Sequence, residues 1–154
     1  MAIRLSCGSD SFPLVQHELM SSIVAGLGFD GFDLMVAGNR AGTANATNLR
    51  LEEILADPAV WAGRLDERLR SRGLEISDFF ASPWTDLETM APNHPDPAEL
   101  RRGHEMFERV LECALHLGVS GITMPCGIDW PGESHADSLA RAAEEHGRRA
   151  EKTR

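Results

Sequence analysis

Apolar residues along the chain recur at two spacings, one typical of amphipathic helices and one typical of strands. Helical segments alternate with short apolar runs, and Gly28, Gly73 and Gly118 separate each helix from the run that follows it. These glycines lie 45 residues apart. A helix that ends at glycine and leads into an apolar strand is half of a β-α-β unit. The pattern therefore predicts the order β-α-β-α-β-α-β, followed by one last helix.

The element bounds follow from this pattern. We expect strands at 3–7, 32–36, 74–80 and 122–124, and helices at 14–25, 49–55, 58–72, 97–117 and 136–150. Asp57-Pro58 and Asp96-Pro97 are typical helix starts, because Asp caps free N–H groups and Pro suits the first helical position. The expected inward residues of the first two long helices are Leu14, Leu19, Ile23 and Val24, then Val60, Trp61, Leu65 and Leu69. The last helix has only a thin apolar face, made of Leu139, Ala142 and Ala143.

Alternation along the strands places apolar and polar residues on opposite faces. One face holds Ile3, Leu5, Phe32, Leu34, Leu74, Ile76, Ile122 and Met124, and the other holds Arg4, Ser6, Asp33, Met35, Glu75, Ser77 and Thr123. Parallel strands covered by helices on both sides are apolar throughout, so this pattern favours helices on one side only, as in a barrel wall. Arg4 is expected to pair with Asp33 or Glu75. Two interpretations of the polar face stay open: a barrel interior, or the wet side of an open sheet.

Length, charge and cysteine content limit which fold, binding partners and cellular compartment the chain can have. The 154 residues suit one domain, whereas a (β/α)8 barrel needs about 250 residues, so four strands and four main helices correspond to half a barrel. A net charge of −9 argues against a nucleic-acid partner. No apolar stretch is long enough for a membrane span, and three cysteines without CxxC spacing suit a reducing cytoplasm.

Three segments carry a resemblance to a known family. They are Asn93-His94-Pro95-Asp96-Pro97, Leu117-Gly118-Val119-Ser120-Gly121-Ile122-Thr123 and Gly127-Ile128-Asp129-Trp130-Pro131-Gly132-Glu133-Ser134. In them the chain resembles the sugar phosphate isomerase/epimerase family, the xylose-isomerase-like TIM barrels. The resemblance extends from Ile3 to the last helix and covers the N-terminal half of the family fold. It implies an α/β fold in which residues 1–154 form a single incomplete domain, a half-barrel of four βα units with parallel strands and helices on one face.

The resemblance also implies an activity. Enzymes of this family act on a sugar or sugar phosphate at the carboxyl ends of the strands, where a divalent metal (Mn, Mg or Zn) assists proton transfer next to a carbonyl. Their metal ligands lie on the later strands, which have no counterpart here. We therefore expect this chain alone to be truncated, to bind no metal and to be inactive, and its catalytic residues are unknown.

Five residues are candidates for sugar binding, each with a simpler alternative. His94 lies in a long loop before the third main helix, where it is equally suited to be a solvated residue or a contact at the helix start. Trp130 and Glu133 suit an aromatic plate with a hydrogen-bond acceptor, or else a Trp-Pro-Gly turn that packs the loop. Cys7 and Cys126 are expected just after the first and fourth strands. There they would face the mouth of the barrel, which is the opening at the carboxyl ends of the strands. No base is evident near either thiol, so packing of a small residue is the alternative.

Three overall interpretations remain. In the first, the chain is an incomplete isomerase/epimerase barrel whose open edges favour a homodimer. In the second, it is a non-catalytic sugar-binding module. In the third, it is a complete flavodoxin-like domain, which the one-sided strand pattern disfavours. No phosphate-binding glycine-rich loop follows the first strand, where the sequence is Cys7-Gly8-Ser9-Asp10-Ser11.

Overall fold

A computed structural model describes residues 3–12, 15–37, 54, 56–82 and 88–154. In these residues three strands, β1 (Ser6–Gly8), β2 (Gly31–Ala37) and β3 (Glu75–Ser82), form a parallel sheet in the order β1-β2-β3. The helices are α1 (His17–Gly26), α2 (Pro58–Arg70), α3 (Pro97–Leu117) and α4 (His135–Lys152). This is the α/β architecture of a partial barrel. The short helix predicted at 49–55 falls almost entirely outside the described residues.

The fourth predicted strand is reduced to a single bridge. Thr123 pairs in parallel with Phe80, through N–H···O bonds of 2.9 Å to the Phe79 carbonyl and 2.8 Å from the Ala81 amide. The next donor in this ladder would be residue 125, which is a proline without an N–H. The position of the strand is therefore as predicted, but its extent of three residues is wrong.

The first strand begins later than predicted. β1 starts at Ser6, and the two apolar residues expected on the buried face, Ile3 and Leu5, are 88% and 61% exposed. Alternation does identify their side of the sheet, because Cys7 lies two residues further on, pairs with Phe32 and packs partly against the core. β1 is the edge of the sheet in the described part of the chain. No described helix covers Ile3 and Leu5.

A β-bulge sets which residues of β3 face the helices. Phe32 lies opposite Ile76, but Asp33 lies opposite Asp78, so Ser77 is the additional residue. After the bulge Phe79 and Ala81 take the helix side, opposite Leu34 and Val36, and all four are fully buried. The bulge leaves Asp78 and Phe80 on the opposite side. Simple alternation from Ile76 would have placed these two residues among the helices.

The helix starts are largely as predicted, but two inward faces are not. The Asp57 and Asp96 side chains accept hydrogen bonds from the amides of Val60 and Ala98, which confirms both caps. In α1 the buried residues are His17, Met20, Ser21 and Val24, while Leu19 is exposed and Leu14 lies outside the described residues. In α2 the buried residues are Pro58, Ala62, Leu65 and Leu69, and Val60 is exposed. Both errors have one cause. Leu19 and Val60 lie at the edge of the apolar face of their helix, where an apolar residue can remain exposed to solvent.

The last helix differs most from its prediction. Its buried residues are Ser138, Ala142, Glu145 and Arg149, whereas Leu139 and Ala143 are exposed. A buried carboxylate and a buried guanidinium replace the expected apolar contact. None of the helices in the described ranges is both long and apolar enough to cross a lipid bilayer.

Candidate functional site at the open face of the sheet

The face of the sheet opposite the helices, which we call the inner face, carries a row of polar side chains. Thr123 Oγ1 donates to Asp78 Oδ1 at 2.8 Å, and Ser77 Oγ donates to Asp33 Oδ1. Met35 and Phe80 follow on the same face towards the carboxyl ends of their strands. The inner face is thus polar in its amino-terminal part and apolar near the mouth.

Arg4 and Glu75 extend this row at its amino-terminal end. Arg4 Nη1 lies 2.6 Å from Glu75 Oε2, so of its two expected partners Arg4 pairs with Glu75. Both side chains are more than half exposed. The pairing raises the pKa of Arg4 and lowers that of Glu75, mainly through their hydrogen bond. Such an exposed pair contributes little to stability, so its position on the open face matters more than its strength.

At the mouth, a buried amide joins two loops. Asn93 Nδ2 donates to the carbonyls of Ile128 at 2.6 Å and Ser138 at 3.1 Å, and Asn93 Oδ1 accepts from the Ile128 amide at 3.1 Å. The Asn93 carbonyl accepts from Arg141 Nη1 at 2.9 Å. Asn93 follows β3, whereas Ile128 follows the Thr123 bridge. One side chain therefore holds the third and fourth loops of the mouth together.

This link between the two loops, which we call the Asn93 tether, depends on a glycine. Gly127 has a φ of +121°, a conformation that side chains disfavour, and a Cβ built on it would lie 2.5 Å from Asn93 Oδ1. The absence of a side chain at Gly127 allows the two loops to approach.

Two of the predicted sugar-binding residues, His94 and Trp130, meet at this tether. Their rings make an edge-to-face contact with centroids 4.4 Å apart, and both are half-buried. The Trp130 Nε1–H points to Asn93 Oδ1 at 3.4 Å. His94 Nδ1 accepts from the Asp96 amide at 3.0 Å, so His94 also makes the contact at the helix start that was its alternative role. Together the rings form an aromatic corner at the mouth.

Glu133 lies beside this corner, and both of its carboxylate oxygens already accept hydrogen bonds within the chain. Both Glu133 oxygens accept from Arg141 Nη2, at 2.7 and 2.6 Å, and Oε2 also accepts from Ser138 Oγ at 3.2 Å. Arg141 in turn holds the Asn93 carbonyl. In this arrangement Glu133 supports the loop, and a ligand would have to compete with Arg141 for its oxygens.

The two candidate cysteines are not brought together with the other three residues. Cys7 lies within β1 on the helix side and packs partly against the core, which differs from its expected position after the strand. Cys126 is exposed in the loop after the bridge. The placement of Cys7 corresponds to the packing alternative.

Sequence reasoning missed a cluster of charged residues between α3 and α4. Glu145 accepts from Arg149 Nε at 2.6 Å, from Arg148 Nε at 2.9 Å, and lies 2.7 Å from His104 Nε2. Burial alone would raise the pKa of Glu145, but the hydrogen bonds from Arg148 and Arg149 outweigh it and lower the pKa to about 2. The i, i+4 spacing of Glu145 and Arg149 was the available signal, although exposed helical pairs have the same spacing.

Arg149 is the most buried cation of this cluster. It is 3% exposed, its guanidinium lies 5.0 Å from the centroid of the Phe107 ring, and its Nη2 has no hydrogen-bond partner among the described residues. Burial lowers the pKa of Arg149. A groove of about 420 Å³ lies beside it, between the carboxyl-terminal halves of α3 and α4 and the start of the Thr123 segment.

His17 in α1 is a second buried ionisable group that the sequence did not reveal. It is 2% exposed, its ring packs edge-on against Phe32, and its Nδ1 lies 3.2 Å from Arg68 Nη1. Burial, followed by the positive charge of Arg68, lowers the pKa of His17 to about 4. A neutral His17 that accepts a hydrogen bond from Arg68 is the form that fits this environment.

The described residues do not fit a divalent metal. In the ranges that the structure covers, no three His, Cys, Asp or Glu side chains converge as a metal site would require. The nearest approaches are pairs, His135 with Asp129 and His104 with Glu145, both at 2.7 Å. A divalent metal at this face would need ligands from outside these residues.

Comparison with known proteins agrees with this architecture. D-psicose 3-epimerase in the presence of D-fructose superposes with a TM-score of 0.72 and 16% identity over 98% of this chain and 48% of that chain. D-psicose 3-epimerase with D-tagatose, from Clostridium cellulolyticum H10, superposes with a TM-score of 0.73 and 13% identity over the same shares. No family model and no curated protein matches the sequence.

The chain thus spans about half the length of the solved structures that it matches. The predicted fold is confirmed: this chain has the α/β fold of half of a TIM barrel, which it shares with the two D-psicose 3-epimerase structures.

Proposed function

We propose that this chain is one half of a sugar isomerase/epimerase-type barrel and that its mouth binds a ketohexose or its phosphate. The observation that carries the proposal is the aromatic corner of His94 and Trp130, which Asn93 holds at the end of the sheet where TIM barrels bind their ligands. The structural likeness to epimerases studied with D-fructose and D-tagatose supports this class of ligand.

The chemistry of the mouth suits a sugar ring. The half-buried rings of His94 and Trp130 offer an apolar surface to the C–H face of a sugar. Met35 and Phe80 are apolar residues on the inner face towards the same end of the sheet. The carboxylates of Asp33 and Asp78 lie further along the inner face and accept hydrogen bonds of the type that sugar hydroxyls donate. A bound sugar would therefore stack on His94 and Trp130 and donate hydrogen bonds to Asp33 and Asp78.

Catalysis requires more than these residues supply. Proton transfer next to a carbonyl needs a positioned base and a group that stabilises the developing charge. Asp33, Asp78 and Glu133 each accept a hydrogen bond from a neighbour within the chain. We propose that the groups for turnover come from the other half of a closed barrel, and that this half alone binds sugar without converting it.

Calorimetric titration with D-fructose and D-tagatose tests the binding proposal. We expect Trp130→Ala to weaken sugar binding about tenfold, since an aromatic contact of this kind is worth about 1 kcal/mol or slightly more. Trp130→Phe keeps the ring and should retain most of the affinity. His116→Ala, on an exposed position of α3, is the control and should change nothing. Absence of binding to both sugars and their phosphates by the unsubstituted chain would contradict the proposal.

A non-catalytic sugar-binding module is the second candidate, favoured by the internal use of Glu133 and Asn93. Both side chains stiffen the mouth through hydrogen bonds within the chain. Titrations repeated with Mn²⁺, Mg²⁺ or Zn²⁺, together with an assay for ketohexose epimerisation, separate the two candidates. Binding unaffected by metal and without turnover in any assembled form supports the module. Metal-dependent epimerisation by an assembled form supports the enzyme.

A further inference from the structure

One arginine lies beside the aromatic corner, and its charge is compensated within the chain. Arg141 Nη2 lies 2.7 and 2.6 Å from the two oxygens of Glu133, and Arg141 Nη1 donates to the Asn93 carbonyl at 2.9 Å. The side chains of Arg141 and Glu133 are 26% and 25% exposed. A molecule at the mouth can therefore reach this ion pair, but Arg141 offers it no uncompensated positive charge.

Two short series of hydrogen bonds connect the ion pair with Trp130. Asn93 accepts from Trp130 Nε1 at 3.4 Å through Oδ1 and from Arg141 through its carbonyl. Ser138 Oγ accepts from the Trp130 amide at 3.3 Å and donates to Glu133 Oε2 at 3.2 Å. A sugar that stacks on the corner would therefore lie next to the Glu133–Arg141 pair.

The loops that carry the corner are acidic. Residues 88–97 and 125–141 comprise these loops and the start of α4, and Arg141 is their one Lys or Arg. They contain five acidic residues, Glu88, Asp96, Asp129, Glu133 and Asp137. A phosphate monoester carries a charge of about −1.5 to −2 at pH 7, so the charge of this rim opposes its approach.

The starts of α3 and α4 also carry carboxylates of the chain itself. The free N–H groups at a helix start are a common site for phosphate, and both helices begin directly after these loops. At the start of α3 the Asp96 carboxylate accepts from the Ala98 amide at 2.8 Å. At the start of α4 the Ser134 hydroxyl accepts from the Asp137 amide at 3.2 Å and donates to the Asp137 carboxylate at 2.7 Å. A phosphate at either helix start would meet a negative charge.

We propose that Glu133 makes this mouth selective for an uncharged sugar over its phosphate. By pairing with Arg141, the Glu133 carboxylate occupies the one guanidinium in these two loops, which is the group best suited to bidentate binding of phosphate. A neutral sugar needs no counter-charge, because its hydroxyls both donate and accept hydrogen bonds. The inference rests on the proposed function and deepens it, since it chooses between the two ligand classes named there.

Calorimetric titration of the full chain with D-fructose, D-fructose 6-phosphate and inorganic phosphate tests the proposal. We expect D-fructose to bind at least about tenfold more tightly than its 6-phosphate, and inorganic phosphate not to bind. Glu133→Gln nearly keeps the size of the side chain and removes the counter-charge of Arg141. It should raise the affinity for the 6-phosphate about tenfold, which is typical of one added hydrogen bond to a charged group. Binding of inorganic phosphate should become measurable, and the affinity for D-fructose should stay nearly the same.

Three further variants isolate the role of the carboxylate. Glu144→Gln removes the same charge from an exposed residue of α4 and should leave the preference for D-fructose unchanged. Glu133→Gln combined with Arg141→Gln removes the cation as well, so the gain in phosphate affinity should disappear. Glu133→Ser repeats the measurement with a smaller neutral side chain. Circular dichroism melting verifies that each variant is folded.

Failure of this proposal is distinguishable from failure of the proposed function. An unsubstituted chain that binds D-fructose 6-phosphate as tightly as D-fructose overturns the selectivity. Folded Glu133 variants that gain no affinity for phosphate, or that lose affinity for every ligand equally, overturn the role of Glu133, because an equal loss marks a purely structural contact. If no sugar binds to any variant, the proposed function fails, whereas the gain in inorganic phosphate binding still decides the role of Glu133.

Discussion

The centre of the half-barrel and its last helix are held by different forces. At the centre, β2 and β3 bury Phe32, Leu34, Val36 and Phe79 completely beneath α1, α2 and α3. The last helix, α4, contacts α3 through charged side chains: Glu145 meets His104 and Arg149 lies over the Phe107 ring, with a groove of about 420 Å³ beside them. Apolar burial is non-directional and depends on no charge, whereas a buried ion pair is stable only while both partners keep their geometry and charge.

This contrast means that the two regions can be destabilised separately. Removal of apolar volume should act on the centre and on the whole fold. Removal of a charge should act first on α4.

Truncation of the central core should have the largest effect. Phe79→Ala removes a fully buried ring from the helix side of β3 and should lower the free energy of unfolding by about 4 kcal/mol. Phe80→Ala is the matched control, because it removes the same ring from the neighbouring, half-buried residue on the inner face. Urea unfolding followed by circular dichroism measures both. Equal losses for the two variants would show that the bulge does not place Phe79 in the core as described.

Neutralisation of Glu145 should release α4. Glu145→Gln leaves the buried guanidinium of Arg149 without a counter-charge and should cost about 3 kcal/mol, mostly as local opening of α4. Hydrogen exchange followed by mass spectrometry should show faster exchange in 135–152 and little change in β2 and β3. The control is Glu144→Gln, an exposed neighbour in the same helix. Uniform acceleration across the sheet would argue that α4 is part of the central cooperative unit.

Acid should destabilise the two regions in sequence. The pKa of His17 is lowered to about 4 from 6.5, so the unfolded chain binds the additional proton first and stability falls as pH drops from 6.5 to 4, by at most about 3 kcal/mol. The pKa of Glu145 is lowered to about 2 from 4.5, so its contribution is lost between pH 4.5 and 2.

The variants His17→Gln and Glu145→Gln assign these two transitions. The midpoint of urea unfolding is measured from pH 8 to pH 3. In His17→Gln the midpoint should no longer change with pH between pH 6.5 and pH 4. In Glu145→Gln it should still change over that range. Stability that stays constant from pH 6.5 to 4 in the unsubstituted chain would contradict the assignment of His17.

The smallest expected effect concerns the mouth. Gly127→Ala brings a Cβ against Asn93 Oδ1 and should cost about 2 kcal/mol, because both the backbone conformation and the contact are strained. Gly132→Ala is the control, since Gly132 also has a positive φ but nothing lies within 4 Å of its Cβ position. Thermal melting separates the two. A cost for Gly132→Ala as large as that for Gly127→Ala would leave only backbone strain as the cause.

The sequence predicted the features that depend on local chemistry. The Asp57 and Asp96 caps, the ends of helices near Gly73 and Gly118, and β2 all follow from side chains close in the chain, and the structure confirms them. The resemblance in 93–97, 117–123 and 127–134 gave the half-barrel, which the structural comparison supports.

Features that depend on distant neighbours were not predictable. Whether Leu19 or Ile3 is buried depends on whether another element covers it, and apolar character alone does not tell. The bulge at Ser77 arises from pairing with β2, so alternation within β3 could not reveal it. Glu145 and Arg149 have the spacing of an exposed ion pair, and their burial follows from the position of α3.

At the mouth, too, some features could be predicted from the sequence and others depend on distant neighbours. The sequence proposed His94, Trp130 and Glu133 as neighbours of a ligand. The structure brings the rings of His94 and Trp130 into contact, and Ser138 links Glu133 to the Trp130 backbone. Their role in binding stays a prediction. Asn93 was visible only as part of a motif, because its partners lie 35 and 45 residues away.

The Asn93 tether has a consequence for how the mouth would respond to a ligand. Because one amide group bonds both Ile128 and Ser138, the loop after β3, the loop after Thr123 and the first turn of α4 are mechanically coupled. A molecule that displaces His94 must also strain the bonds at Ile128 and Ser138. The recognition surface is therefore expected to behave as a stiff rim, which lowers the entropic penalty of capture and makes selectivity depend on shape more than on adaptation.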